Sequence, residues 1–195
     1  MNYLLQIQNL FQNYYTEDFI YRPFVKSDTF PLFDATKNPE FNRYLLWNAP
    51  KDIAELTEQT EMLLREQLMN KHLLISACDL ISGEWAGFIK LTPFEDGIEL
   101  SLWMHPNYWQ NKNYFQIVYG ILHLFFTKLS LPFIYVKTHI DNIKMQKIMK
   151  GYHFQHCRQT YLTHQNQQQL LFDIYRLEKN IWCENLDKFY SLNYF

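Results

Sequence analysis

Glycine is scarce in this chain, with five residues at positions 83, 87, 97, 120 and 151 out of 195. Wherever the backbone needs a positive φ angle, asparagine must therefore often stand in. Cysteine is equally thin. Cys78, Cys157 and Cys183 form no CxxC pair and leave an odd thiol however they are paired, which points to a reducing cytoplasm. Neither charge is in excess, since 18 Lys and Arg stand against 20 Asp and Glu for a net charge of -2. The electrostatic footprint that would argue for DNA, RNA or an anionic membrane is thus missing.

Long apolar runs are missing too. The longest uncharged stretch of apolar character, Asn113 to Thr127, is too short for a bilayer and carries Gln116 and His123, so no transmembrane helix is expected. Met1 to Phe11 has no basic residue ahead of its apolar stretch and no small-residue cleavage site, so no secretory signal is expected. No repeat period stands out, and GxSxG, Walker A, HExxH and GxGxxG motifs are all lacking. His153, His156 and Cys157, with His164, come closest to metal spacing but have no second ligand pair, and no metal is expected.

Aromatic residues are what the chain has in quantity: 16 Phe, 14 Tyr and 5 Trp within a 48% hydrophobic composition, ample for a sizeable core. The length suits one domain over 1–195 with its core at about 19–182. A helical extension over 1–15, with Leu4, Leu5, Ile7, Leu10 and Phe11 near helical spacing, and a tail over 183–195 complete it. Apolar residues in these termini are candidates for a homodimer interface.

Along the chain, Asp18 to Val25 reads as a strand, and Ser27 or Asp28 can cap a helix running towards Asn38. Asp52 to Met69 repeats Ile53, Leu56, Leu63, Leu64 and Leu68 at helical period. Strands follow at 73–78, 84–91 and 98–104, broken by Ser82-Gly83 and Asp96-Gly97. Tyr114 to Leu129 returns to helical spacing. A strand at 133–138, a short helix at 142–150 and a hairpin through Tyr161 and 170–177 close the chain, with His164 to Gln169 as an exposed turn. This order implies an α/β fold, a mixed sheet flanked by helices on both faces.

The informative segment runs from Glu99 to Phe115, where a strand ends in Pro106, a turn rich in amides and one Lys follows, and a helix starts. First-turn N–H groups lack intrahelical partners and sit at the positive end of the dipole, so such a strand-turn-helix can hold a pyrophosphate, with Lys112 adding a point charge. Lys112 weighed as an ordinary turn lysine would simply be solvated. His105, between strand and proline, reads as an incidental turn histidine more readily than as a substrate contact.

At these residues the chain resembles the GNAT superfamily of acyl-CoA-dependent N-acyltransferases, in particular the branch of the ribosomal-protein N-terminal acetyltransferases. The similarity runs from about Phe19 to about Trp182. Tyr21-Arg22-Pro23-Phe24 is similar to that branch's opening strand, and Trp85-Ala86-Gly87-Phe88-Ile89 to its third. Glu99 through Pro106 resembles the fourth strand, and Tyr108-Trp109 leads into the pyrophosphate loop. Val136-Lys137-Thr138 with Asn142 resembles the fifth strand and the Asn after it, and Tyr175-Arg176-Leu177 to Trp182 the last strand and tail. The resemblance implies a GNAT-like, mostly antiparallel central sheet.

The departures cluster around the loop. Where the branch has Trp, Gly, Arg or Lys, Gly, Tyr, Ala, this chain has Trp109-Gln110-Asn111-Lys112-Asn113-Tyr114-Phe115, one residue longer and with Asn in place of both glycines. Asn tolerates a left-handed backbone, so the loop is expected to keep its path. Met145 replaces a small residue, and His153 the Gly before the final Phe154.

The resemblance implies an enzyme that transfers an acyl group, most simply acetyl from acetyl-CoA, to a primary amine by direct attack in a ternary complex. The acceptor would be a protein N-terminus or a small amine. The co-substrate would lie between the fourth and fifth strands, with its pyrophosphate on the amides of Asn111, Lys112, Asn113, Tyr114 and Phe115, Asn142 nearby, and its thioester beside Trp103 and Met104. The Met104 N–H would steady the oxyanion, Glu99 would act as general base through a water, and Tyr152 or Tyr114 would protonate the leaving thiolate. Glu99 read plainly is a strand carboxylate paired with a neighbouring cation. The alternative function is a GNAT-fold module that has lost efficient transfer and serves in binding or assembly, with Phe115 filling the loop.

Overall fold

The computed structural model describes residues 14–109, 111–129 and 131–191. One sheet of eight strands runs through it, β1 Tyr14–Tyr15, β2 Phe19–Pro23, β3 Leu73–Asp79, β4 Trp85–Phe94, β5 Gly97–Met104, β6 Phe133–His139, β7 Gln155–Thr163 and β8 Gln169–Glu178. Its spatial order is β1-β2-β3-β4-β5-β6-β8-β7. Every neighbouring pair is antiparallel except β5 with β6.

Helices cover both faces, as the sequence pattern implies. On one side lie α1 Thr29–Thr36, α2 Pro39–Asn42 and α3 Ile53–Leu68, which bury Leu32, Ala35, Phe41 and Leu56 against Leu74, Cys78, Trp85 and Phe88. On the other lie α4 Asn111–Leu124, α5 Ile143–Gly151, α6 Lys179–Glu184 and α7 Leu186–Ser191. They enclose Ile117, Val118, Ile121, Leu122, Ile148, Met149, Trp182 and Phe189 with the inner residues of β3 to β6. Among the described residues no helix is long and apolar enough to cross a membrane.

Several details differ from the sequence expectations. Residues 1–13 of the expected N-terminal helix lie outside the described residues, and Tyr14–Tyr15 form an edge strand rather than a helical turn. Asp28 starts α1 without capping it by its side chain. Its buried carboxylate instead accepts two bonds from Arg22 at 2.7 Å, one from the Ser76 hydroxyl at 2.7 Å and one from the Val25 N–H at 3.0 Å. That satisfied network anchors the start of α1 to β2 and β3. The helix expected at 114–129 begins at Asn111, ends at Leu124 and continues as a π-helical turn over Phe125–Leu129. The C-terminal segment is no loose tail as far as Ser191: Phe189 in α7 is fully buried, its ring 5.2 Å from those of Tyr152 and Trp182.

The parallel pair decides where the site lies. β5 and β6 are in register only at Ile98 with Ile134 and Glu99 with Tyr135. β5 then runs on to Met104 and β6 to His139 without pairing, so the strands part towards their C-terminal ends. At the closed end a Cβ on Gly97 would lie 2.5 Å from the Phe133 carbonyl oxygen, so only glycine allows the two strands this approach.

Candidate functional site

A cleft of about 420 Å3 opens at the parting of β5 and β6. Leu102, Trp103 and Met104 come to it from β5, Trp109 from the connection into α4, Tyr114 from the first turns of α4, and Asn142, Ile143 and Lys144 from the start of α5. Glu40, Phe41, Tyr44 and Leu45, from α2 and the chain after it, and Asp141 complete the lining. The wall after α2 is fixed in place: Tyr44 stacks on His139 at 5.5 Å, the Gln165 N–H donates to the Leu46 carbonyl at 2.9 Å, and the Gln165 side chain accepts from the Asn48 N–H at 2.9 Å. The exposed amide-rich turn between β7 and β8 thus holds the loop that borders the cleft.

Of the residues singled out in the sequence, Trp103, Met104, Tyr114 and Asn142 come together here. Trp103 stacks on Phe88 at 5.0 Å, and the Met104 carbonyl accepts the indole N–H of Trp109 at 2.9 Å. The Asn142 side-chain oxygen accepts from the Met145 N–H at 3.2 Å, capping α5. Burial pushes the Tyr114 hydroxyl up to about 12, so it stays protonated at neutral pH.

Lys112 and Asn113 are not among the described residues lining the cleft; with Asn111 they form the first turn of α4, and Lys112 is exposed. The left-handed path expected of Asn111 and Asn113 is not taken. The positive φ angles among described non-glycine residues belong to Asn70, Glu95, His153 and Gln167. Asn111 and Asn113 instead lie in the ordinary backbone of α4. His153, at φ 58, does take the conformation for which the family has Gly, and its ring packs edge-on to Phe189 at 5.4 Å.

Phe115 and Tyr152 are corrected by the packing. The Phe115 ring turns into the core, 5.5 Å from that of Tyr152, and leaves the cleft open. Tyr152 is fully buried, its hydroxyl donates to the Phe115 carbonyl at 2.7 Å, and burial raises its pKa far above the ordinary range. Tyr152 is not among the described residues lining the cleft, and its engaged hydroxyl argues against the expected role of proton donor.

Glu99 lies just below the cleft, at the last registered pair of β5 and β6, on the strand face it shares with Ser101 and Trp103. Its Oε2 accepts from Lys137 Nζ at 2.7 Å, and Lys137 in turn sits 4.1 Å from the Phe94 ring centroid. Both side chains are more than four-fifths buried, so this pair is held in one geometry. The histidines with the nearest approach to metal spacing are engaged separately: His156 with Asp173 at 2.8 Å, His164 with the Trp47 carbonyl at 3.2 Å and His153 with Lys188 at 2.8 Å.

Sequence reasoning missed Lys144. Its ammonium donates to the Trp109 carbonyl and lies 4.7 Å from the Tyr114 ring centroid. Desolvation lowers its pKa. One signal was available: a lysine in the first turn of a helix opposes the dipole, a placement that needs another reason.

Comparison with known proteins fits this geometry. No curated protein matches the sequence. Solved structures share the fold at low identity. A GCN5-related N-acetyltransferase from Brucella melitensis superposes with TM-score 0.78 at 14% identity, covering 92% of this chain and 84% of its own. A Vibrio cholerae protein provisionally described as a ribosomal-protein-serine acetyltransferase gives 0.72 at 9% identity, covering 85% and 97%. A Vibrio cholerae spermidine N-acetyltransferase, solved with CoA and spermine, gives 0.70 at 14%, covering 86% and 99%. The sequence itself matches the acetyltransferase (GNAT) domain over residues 18–155, from β2 through the parted strands to the start of β7, and the chain therefore belongs to the GNAT acetyltransferase family.

Proposed function

We propose that the protein transfers an acyl group, most simply acetyl from acetyl-CoA, to a primary amine by direct attack in a ternary complex. The observation that carries this reading is the parting of β5 and β6 beyond Glu99 and Tyr135, with a cleft of about 420 Å3 at the parting and the starts of α4 and α5 on its rim. The residues fit the co-substrate. The walls offered by Leu102, Trp103, Trp109 and Tyr114 suit a slim, largely apolar arm, and first-turn amides at the rim suit its phosphates. When bound, acyl-CoA supplies the activated thioester carbonyl.

In this reading Asn111, Lys112 and Asn113 contribute their backbone N–H groups at the start of α4, those of Tyr114 and Phe115 being engaged within the helix, and Asn142 orients the opposite rim. The Met104 N–H is the donor for developing negative charge on oxygen. Glu99, steadied by Lys137, takes the amine proton through a water. Tyr114 replaces Tyr152 as the proton donor, because its hydroxyl belongs to a residue on the cleft and is held protonated.

The acceptor is a protein N-terminus or a small amine, a range that spans the descriptions of the two Vibrio cholerae proteins. The competing reading, a binding module without transfer, calls for Phe115 to fill the loop. Its position against Tyr152 favours transfer. A thiol-release assay with acetyl-CoA tests this against a panel of spermidine, an aminoglycoside and short peptides with free N-termini. Amine-dependent release of CoA is expected for at least one; no release with any of them would favour the module.

A further inference from the structure

Among the described residues lining the cleft, Lys144 is the sole cation, set beside two carboxylates, Glu40 and Asp141. Neither acid neutralises it: Glu40 pairs with Arg43 at 3.1 Å, and Asp141 lies 3.8 Å from His139 Nδ1. Lys112, the cation that sequence spacing places at the anion site, is not in the described lining; both lysines are exposed, but Lys144 alone of the two borders the cleft. Lys144 instead reaches from the first turn of α5 across the mouth to the carbonyl of Trp109, two residues before the first residue of α4. Its ammonium therefore stands between the amide ends of two helices of 14 and 9 residues, a place where positive charge is disfavoured unless an anion joins it.

We propose that Lys144 is the cation that pairs with the pyrophosphate of acyl-CoA, in the role the sequence suggests for Lys112. This rests on the acyltransferase reading above. The ammonium is held by a single carbonyl and two aromatic rings, at 4.7 Å from Tyr114 and 5.9 Å from Trp109. Exchanging the Trp109 carbonyl for a phosphate oxygen turns a neutral acceptor into a charged one. The rings remain to hold the aliphatic stem. The flexible lysine chain suits such a point-charge contact.

The test is calorimetric titration of the wild-type chain and of Lys144→Met, Lys144→Gln, Lys144→Arg and Lys112→Met with CoA and with 3′-dephospho-CoA, at two salt concentrations. Thermal melts confirm that each variant is folded. Lys144→Met and Lys144→Gln are expected to weaken binding of both ligands by about tenfold or more, and to flatten the salt dependence. Lys144→Arg should stay within about threefold of wild type, and Lys112→Met should cost clearly less than Lys144→Met. The Gln variant separates charge from clasp, because it can still donate to the Trp109 carbonyl. Wild-type affinity in the Gln or Met variant, or a penalty that vanishes with 3′-dephospho-CoA, would overturn the assignment while leaving the acyltransferase reading intact. Failure of the wild-type chain to bind CoA would remove both.

Discussion

The indole Nε1 of Trp109 donates to the carbonyl of Met104 at 2.9 Å, which ties the chain leaving β5 back onto the strand's last residue. This bond shapes the open end of the cleft. It also satisfies a carbonyl on a residue that is otherwise buried. Trp109→Phe keeps an aromatic wall but removes the donor, so urea denaturation should show a loss of about 1–3 kcal/mol. Unchanged stability would mean that water satisfies the carbonyl as well as the indole does.

Glu99 is expected to separate chemistry from binding, because it lies below the cleft and outside its lining. Glu99→Gln should lower kcat for acyl transfer by about a hundredfold or more while the Kd for acetyl-CoA stays within about twofold. Equal turnover in the mutant would remove Glu99 from the mechanism and leave it a strand residue paired with Lys137.

Gly97 sets where the strands begin to part. In Gly97→Ala the new methyl group would meet the Phe133 carbonyl oxygen at 2.5 Å and the Phe133 Cβ at 3.2 Å, so β6 must shift. A stability loss of about 1–3 kcal/mol is expected, together with weaker acetyl-CoA binding as the cleft changes shape. Wild-type affinity alongside lost stability would show that the cleft tolerates movement at its closed end.

His72 makes the fold sensitive to mild acid. It is 3% exposed, its Nε2 lies 2.9 Å from the Leu63 carbonyl, and burial foremost, with Lys90 adding to it, lowers its pKa from 6.5. The unfolded chain then binds more protons than the folded one. The stabilisation is complete above the unfolded value near 6.5 and is lost as pH falls from there through the folded value. Unfolding free energies measured at pH 7.5, 6.5 and 5.5 should decline, and His72→Gln should flatten the decline. His123, also lowered by burial, contributes in the same direction. An identical slope in the mutant would assign the acid sensitivity elsewhere.

The succession of strands and helices along the chain from β2 onward was largely legible in the sequence because apolar periodicity and the Ser82-Gly83 and Asp96-Gly97 turns are local signals. Trp103, Met104, Tyr114 and Asn142 reached the cleft because each belongs to an element whose end faces the parting strands. Tyr152 did not. Its distance along the chain from Asn142 suggested a site residue, but the helical turn carries it into the core against Phe115 and Trp182. The Asn-rich loop misled for a related reason: Asn111 and Asn113 fall in the first turn of α4, which begins before the expected Tyr114. Lys144 and the wall from Glu40 to Leu45 depend on which helix ends face each other, a relationship that spacing along one chain does not encode.

The most direct test of the account is calorimetric titration of the wild-type protein with acetyl-CoA. Binding in the micromolar range is expected, about -8 kcal/mol, with one molecule per chain. No detectable heat and no thermal shift with acetyl-CoA, CoA or longer acyl-CoAs would contradict it, and the cleft between β5 and β6 would then have another occupant.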